Sequence, residues 1–220
     1  MPEGRSLSLW WRLVRFGFRL LYNELAWTYD VVSWGVSLGQ WRDWQRASIP
    51  YLNVEKQGLV LELAFGTGDL QLDLAGAGLP SVGLDLSPYM GRIAGRKLRR
   101  HALPSRLVRG SVLSLPFPAA SFEGVVSTFP TEVMVHPRTA QEVGRVLRPG
   151  GRFVMVPNGI LKLNNPVSRM LEGLYRATGQ REPWPGDSFN VWREAGFDLR
   201  SETLEMERSV LQVIVAQKLP

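Results

Sequence analysis

The chain of 220 residues contains no cysteine. That absence removes disulfides, thiolate metal sites, a cysteine nucleophile and any iron–sulfur cluster held by Cys ligands. It fits the cytoplasm, which is the expected location, and no metal site is expected. Long apolar runs are also missing, since no stretch is long and clean enough to span a bilayer. The most apolar segment, residues 6–27, is interrupted by Arg12, Arg15 and Arg19. A signal peptide would keep its charges ahead of an uninterrupted apolar region, and no small-residue cleavage site stands out, so the start reads as mature sequence. There is neither an internal repeat nor a low-complexity linker.

What is present is ordinary for a folded protein. Apolar residues make up 45% and charged residues 21%, which argues against disorder, and the length suits a sizeable buried core. The formal net charge is +6. An anionic partner or plain solubility accounts for that balance equally well.

From about residue 58 the pattern alternates between short β-branched runs and helical stretches, which predicts an α/β fold with a mainly parallel sheet. Strands are expected in GLVLELAFGTG, SVGLDLS, SRLVRGSV, SFEGVVSTF and RFVMVPN. Helices are expected in GDLQLDLAGAG, PYMGRIAGRKLRRHAL, RTAQEVGRVLRPGG, PVSRMLEGLYRATG and around FNVWREAGF. Pro88 opens one of them, and Pro149 with two glycines stops another. LRSETLEMER and SVLQVIVAQK form a final antiparallel pair. The first 50 residues stand outside this rhythm and read as two or three helices over the carboxyl edge of the sheet, where ligands of open α/β sheets bind.

The informative segment is Glu62-Leu63-Ala64-Phe65-Gly66-Thr67-Gly68. A strand ends, glycines permit a tight turn, and a helix starts with its N–H groups facing the ligand. A dinucleotide site would continue to a third glycine, where Gln71 stands. Asp69 opens the helix and would repel a pyrophosphate, so a cationic or zwitterionic ligand suits this end better. S-Adenosylmethionine carries a sulfonium, an ammonium and a carboxylate, and no phosphate. Asp85 follows at the end of the second strand, where a carboxylate offers two acceptor oxygens to a ribose diol. The other role for Asp85 is helix capping, which Ser87 fills more naturally.

Across about residues 58–157 the sequence resembles the class I, Rossmann-like methyltransferases that use S-adenosylmethionine. ELAFGTG, VGLDLS, RGSVLSLPFPAASFEGVVST and EVGRVLRPGGRFVMV carry the resemblance through their order and spacing. It implies a mostly parallel seven-stranded sheet whose last strand is antiparallel, with helices on both faces and an N-terminal helical cap. Residues 1–50 would be the cap, with a membrane-surface helix over 5–25, and residues 51–220 the cofactor-binding domain. Glu62 would hold the methionine end, directly or through water. The turn Ala64-Phe65-Gly66-Thr67-Gly68 would approach the cofactor backbone-first, and Asp85 with Leu86 would meet the ribose. Ser111 and Val112 would flank the adenine, while Thr128 and Phe129 would line the space between cofactor and acceptor. Ala64 replaces a common glycine, which should be tolerated, and Ser111 stands where an acidic residue often accepts the adenine amino group.

Methyl transfer needs a base only when the acceptor must lose a proton. His136, Glu132 and Tyr29 are the candidates, although His136 also reads as a surface loop histidine and Tyr29 as a packing aromatic. The missing cysteine excludes base C5-methylation through a Cys nucleophile. The loop STFPTEVM lacks the Asn/Asp-Pro-Pro-aromatic pattern of base-amino methylation, and no RNA-binding module is appended, so nucleic acid is disfavoured.

On a helical wheel Arg5, Ser8, Arg12, Arg15, Arg19 and Asn23 share one stripe opposite Leu, Trp and Phe residues. That pattern describes an interfacial helix on an anionic membrane surface, or equally a cap helix over the domain. YNELAWTYDVVSWGVSLGQW is similar to the N-terminal region of quinone C-methyltransferases and phospholipid N-methyltransferases. A small, lipophilic acceptor follows, either a quinone precursor or a phospholipid headgroup, with the enzyme peripheral at the inner face of the membrane. A soluble metabolite as acceptor, or an inactive protein keeping the fold, are the competing readings.

Overall fold

The computed structural model describes residues 12, 16–17, 19–20, 25–162, 166–177 and 186–219. Five strands run parallel: β1 (Val60–Leu63), β2 (Ser81–Asp85), β3 (Leu107–Arg109), β4 (Phe122–Thr128) and β5 (Leu147–Val156). Every residue of β1 is buried, because the sheet is covered on both faces and its strands therefore read as unbroken apolar runs. Alternate residues feed two cores. Leu61, Val125 and Phe153 face one layer, which includes Val143 and Trp192. Val60, Val126 and Val154 face the other, with Leu70, Leu74 and Trp44. Each such Leu or Val contributes roughly 1.5–3 kcal/mol on burial.

The spatial order is β3-β2-β1-β4-β5-β8, with β7 (Phe197–Glu205) on the outer side of β8 (Ser209–Lys218). β8 is antiparallel to both of its neighbours. Among the described residues the sheet has eight strands rather than the seven expected. The fifth breaks at Pro157-Asn158 and resumes as β6 (Gly159–Leu161). Met155 pairs with Ile214, and Gly159 with Leu211, so the register slips by one residue across the break. Proline cannot donate to the ladder, which places the bulge there.

The helices follow their local signals. In α5 (Pro88–Arg100) the Ser87 hydroxyl caps the Met90 N–H, Pro88 sits in the first turn, and Lys97, Arg99 and Arg100 close the far end. α4 (Asp69–Gly76) begins at Gly68, whose φ is +84°. A Cβ at Gly68 would also lie 2.8 Å from that of Ala94. Only glycine meets both demands. α6 (Pro137–Val146) ends before Leu147 and the following proline, α7 spans Pro166–Ala177 and α8 spans Asn190–Glu194.

Ahead of the sheet, a 3₁₀ turn (Ala26–Thr28) leads into α1 (Tyr29–Val36), α2 (Trp41–Arg46) and α3 (Ile49–Leu52). α2 is anchored by the buried Trp44, whose indole N–H donates to Ser209 Oγ at 2.8 Å. Arg42 and Arg46 both reach Asp73 Oδ1 on α4, each at 2.9 Å. Of the expected arginine stripe, Arg12 and Arg19 are helical and exposed, while Arg5, Ser8, Arg15 and Asn23 lie outside the described residues. No helix among the described residues is long and apolar enough to cross a membrane.

Candidate functional site

The strand order reverses between β1 and β4, the topological switch point where open α/β sheets bind ligands. The chain leaves β1 through a sharp turn, with Ala64 at φ +57° and Gly66 at φ +55°. This turn points the Gly66 N–H at Asp85 Oδ2, 2.9 Å away at the end of β2. The Ser87 N–H donates to Asp85 Oδ1 at 2.8 Å. Each carboxylate oxygen keeps a further lone pair for a hydroxyl donor. Burial raises the Asp85 pKa, against the pull of the Ser87, Gly66 and Leu86 N–H groups.

Asp85 opens onto a cavity of about 510 Å³, within the roughly 300–1,000 Å³ of small-molecule sites. Of the residues expected from sequence, the cavity brings together Tyr29, Ala64, Gly66, Asp85, Leu86, Ser111, Val112, Thr128 and Phe129. Leu86, 68% exposed, marks its rim. Sequence reasoning missed Met90, Leu113, Val133 and Met134 on the wall. Met134 sits in a 3₁₀ turn (Glu132–Val135) that no periodicity announces.

The remaining expected residues stand behind the wall. Phe65 is buried among Ala26, Met90 and Ala94. Thr67 donates its hydroxyl to Asp30, and Gly68 supplies the close approach to α5. Glu62 is 1% exposed and accepts from Gln71 Nε2 at 2.6 Å, with Gln71 in turn receiving the Ser81 hydroxyl at 2.8 Å. His136 is exposed and does not line the cavity. Its Nδ1 accepts the Arg138 N–H at 3.1 Å and so caps α6. Glu132 is exposed as well.

Phe129 holds φ at +51°, which lays its ring 3.9 Å from that of Trp41, centroid to centroid. Tyr29 meets Trp41 edge-on at 6.1 Å. Thr128 accepts from Gln45 Nε2 at 3.3 Å. Tyr29 and Phe129 thus put two aromatic rings on the cavity lining, both packed on Trp41, a surface suited to a flat apolar molecule.

Burial pushes the Glu62 pKa up to about 8, the Gln71 bond opposes the shift, and Asp85, Asp69 and Asp73 add to it through their charge. Asp69, however, is not an unanswered charge. Lys97 Nζ lies 2.7 Å from its Oδ1, so the expected repulsion of a pyrophosphate by Asp69 is largely cancelled. No group of metal-ligating side chains occurs among the described residues.

Residues 60–151 match a family model described as a methyltransferase domain. A demethylmenaquinone methyltransferase from Symbiobacterium thermophilum is 34% identical over 161 residues, covering 70% of this chain and 61% of that protein. Another from Thermus thermophilus is 34% identical over 164 residues, covering 73% and 72%. The chain spans 58% to 66% of the length of the first relatives it matches. Among solved structures, the YcgJ protein of Bacillus subtilis shares the fold with a TM-score of 0.61 at 16% identity, over 81% of this chain and 99% of that one.

Proposed function

This chain belongs to the Rossmann-like class I methyltransferase family, and on that premise we propose that it transfers the methyl group of S-adenosylmethionine to a small lipophilic acceptor, a quinone precursor. The observation that carries the reading is that Asp85, held by the Gly66 N–H, shares one cavity with Tyr29 and Phe129, whose rings both pack on Trp41. The demethylmenaquinone methyltransferases among its relatives support the acceptor class.

The residues present fit the cofactor. Asp85 has acceptor capacity for a ribose diol, and Ser111 and Val112 offer a wall for an adenine. Asp85, whose charge adds to the rise in the Glu62 pKa, and Glu62 itself are carboxyl groups that a sulfonium and an ammonium would favour in their ionised form. When bound, S-adenosylmethionine supplies a methyl group already activated by sulfonium. The chain's part is to align the acceptor and exclude water. Phe129, backed by Trp41, and Tyr29 hold a flat ring, and Thr128 offers a hydroxyl at the cavity wall. Methylation at carbon also releases a proton. Of the three residues expected to handle it, Tyr29 lines the cavity and takes that role here, whereas His136 is engaged as a helix cap and Glu132 is not part of the cavity lining.

The reading includes peripheral attachment at the inner face of a membrane through residues 5–25, supported by the exposed Arg12, Phe16 and Arg19. The test is transfer of label from S-adenosylmethionine to a demethylated naphthoquinol, with a soluble catechol as the competing acceptor. Product on the quinol supports the proposal. Product on the catechol alone, or cofactor binding without any product, contradicts it.

A further inference from the structure

Two neighbouring helices turn large apolar side chains to solvent. Trp27, Val31 and Trp34 follow each other at helical spacing and are 74%, 72% and 67% exposed. On α7, Val167, Met170 and Leu174 repeat the spacing, all at least half exposed. The two stripes are tied together, since Tyr175, on the buried face of α7, donates its hydroxyl to Val36 O at 3.3 Å. Scattered exposed apolar residues need no explanation, but six large ones at helical spacing on two segments that touch through Tyr175 and Val36 call for a partner.

The charge around the patch says which partner. Arg169 and Arg176 on α7 are exposed. The only carboxylate on that helix, Glu172, is buried and accepts the Leu161 N–H at 2.9 Å. The whole chain carries +6. A second copy seated two-fold on this face would bring its own arginines against these, an unfavourable arrangement. Tryptophan beside aliphatic side chains and arginine is instead the composition of a surface resting at the headgroup level of a bilayer. Leu25 and Phe16, earlier in the sequence, are exposed as well.

We propose that this two-helix face docks on an anionic lipid bilayer. The Trp27–Val31–Trp34 and Val167–Met170–Leu174 stripes enter the headgroup–acyl boundary, and Arg169 and Arg176 meet lipid phosphates. Tyr29 lies between Trp27 and Val31 in sequence and lines the cavity. One short helix therefore faces the cavity on one side and the bilayer on the other, which places the site beside a reservoir of lipophilic molecules. The docking stands on surface residues and is independent of any chemistry in the cavity.

The experiment is co-sedimentation of the full chain with phosphatidylcholine vesicles, with and without 30% phosphatidylglycerol, in the absence of cofactor and acceptor. The wild type should bind the anionic vesicles, and Val31→Glu/Met170→Glu should weaken that binding by at least about tenfold with an unchanged circular dichroism spectrum. Arg169→Glu/Arg176→Glu, which leaves the apolar stripes intact, should remove the preference for anionic over neutral vesicles. Wild-type protein that stays in the supernatant overturns the proposal. So does equal binding by the variants, which would assign membrane attachment to residues 5–25. Concentration-dependent dimers abolished by Met170→Glu, without vesicle binding, would make a second copy the occupant.

Discussion

Lys97 Nζ stands 2.7 Å from Asp69 Oδ1, on the first residue of the helix that follows the glycine turn. The same ammonium reaches Asp30 Oδ2 at 2.9 Å and Thr67 Oγ1 at 3.4 Å. One cation thus joins α1, the turn, α4 and α5.

Removing that cation leaves two carboxylates facing each other beside the turn. Lys97→Met should lower stability by about 1–2 kcal/mol, a modest figure because Asp30 is half exposed and solvent screens its share. Urea unfolding measures the loss. Asp30→Asn in the Lys97→Met background should restore part of it, because one of the two opposed charges is then gone.

Glu62 sets a pH dependence of its own. Its folded pKa, about 8, lies above the ordinary 4.5. The folded state therefore binds more protons than the unfolded state between those values, and stability falls as pH rises through that window. The full penalty, on the order of a few kcal/mol, is present above about pH 8. Glu62→Gln should flatten the curve and gain most at pH 8–9. A bound cation favours the ionised carboxyl, so cofactor binding at pH 7 should release part of a proton. Calorimetry in buffers of different ionisation enthalpy reads that release directly.

Ala64 holds φ at +57°, a region that costs an L-residue with a Cβ roughly 1–2 kcal/mol. Glycine removes the strain but adds about 0.5–1 kcal/mol of backbone entropy cost. Ala64→Gly should therefore stabilise the fold slightly, by up to about 1 kcal/mol, with cofactor affinity unchanged. A thermal unfolding midpoint that falls would show that the Ala64 methyl packs usefully.

Trp41 packs on Phe129, which lines the cavity. Trp41→Ala should cost about 2–3 kcal/mol of stability, less than a fully buried tryptophan, since Trp41 is partly exposed. It should also raise KM for the acceptor more than KM for S-adenosylmethionine. Equal changes in both would mean that the cap holds the cofactor as much as the acceptor.

How far the sequence anticipated this arrangement depends on how local each signal is. The strand–turn–helix at Glu62–Gly68 and the carboxylate at Asp85 were legible, because each is written within a few consecutive residues. The mainly parallel sheet followed from the alternating pattern, whereas the strand order rests on pairings between distant segments. The pairing of Asp69 with Lys97 was not legible, since the partners are 28 residues apart and nothing in periodicity links them. Asp69 consequently read as an unanswered charge. The Trp41–Phe129 stack joins the cap to β4, and the break at Pro157-Asn158 depends on the register against β8. His136 carried a catalytic expectation by residue type, whereas in the fold its ring closes a helix end, a role that its place before Pro137 also suggests.

The most direct measurement is a calorimetric titration of the chain with S-adenosylmethionine, with NAD as the control, on wild type and Asp85→Ala. The account predicts micromolar binding of S-adenosylmethionine alone, weakened by about 1–3 kcal/mol in the variant through loss of the ribose acceptor. Binding of NAD, binding of neither, or an affinity unchanged by Asp85→Ala would contradict it.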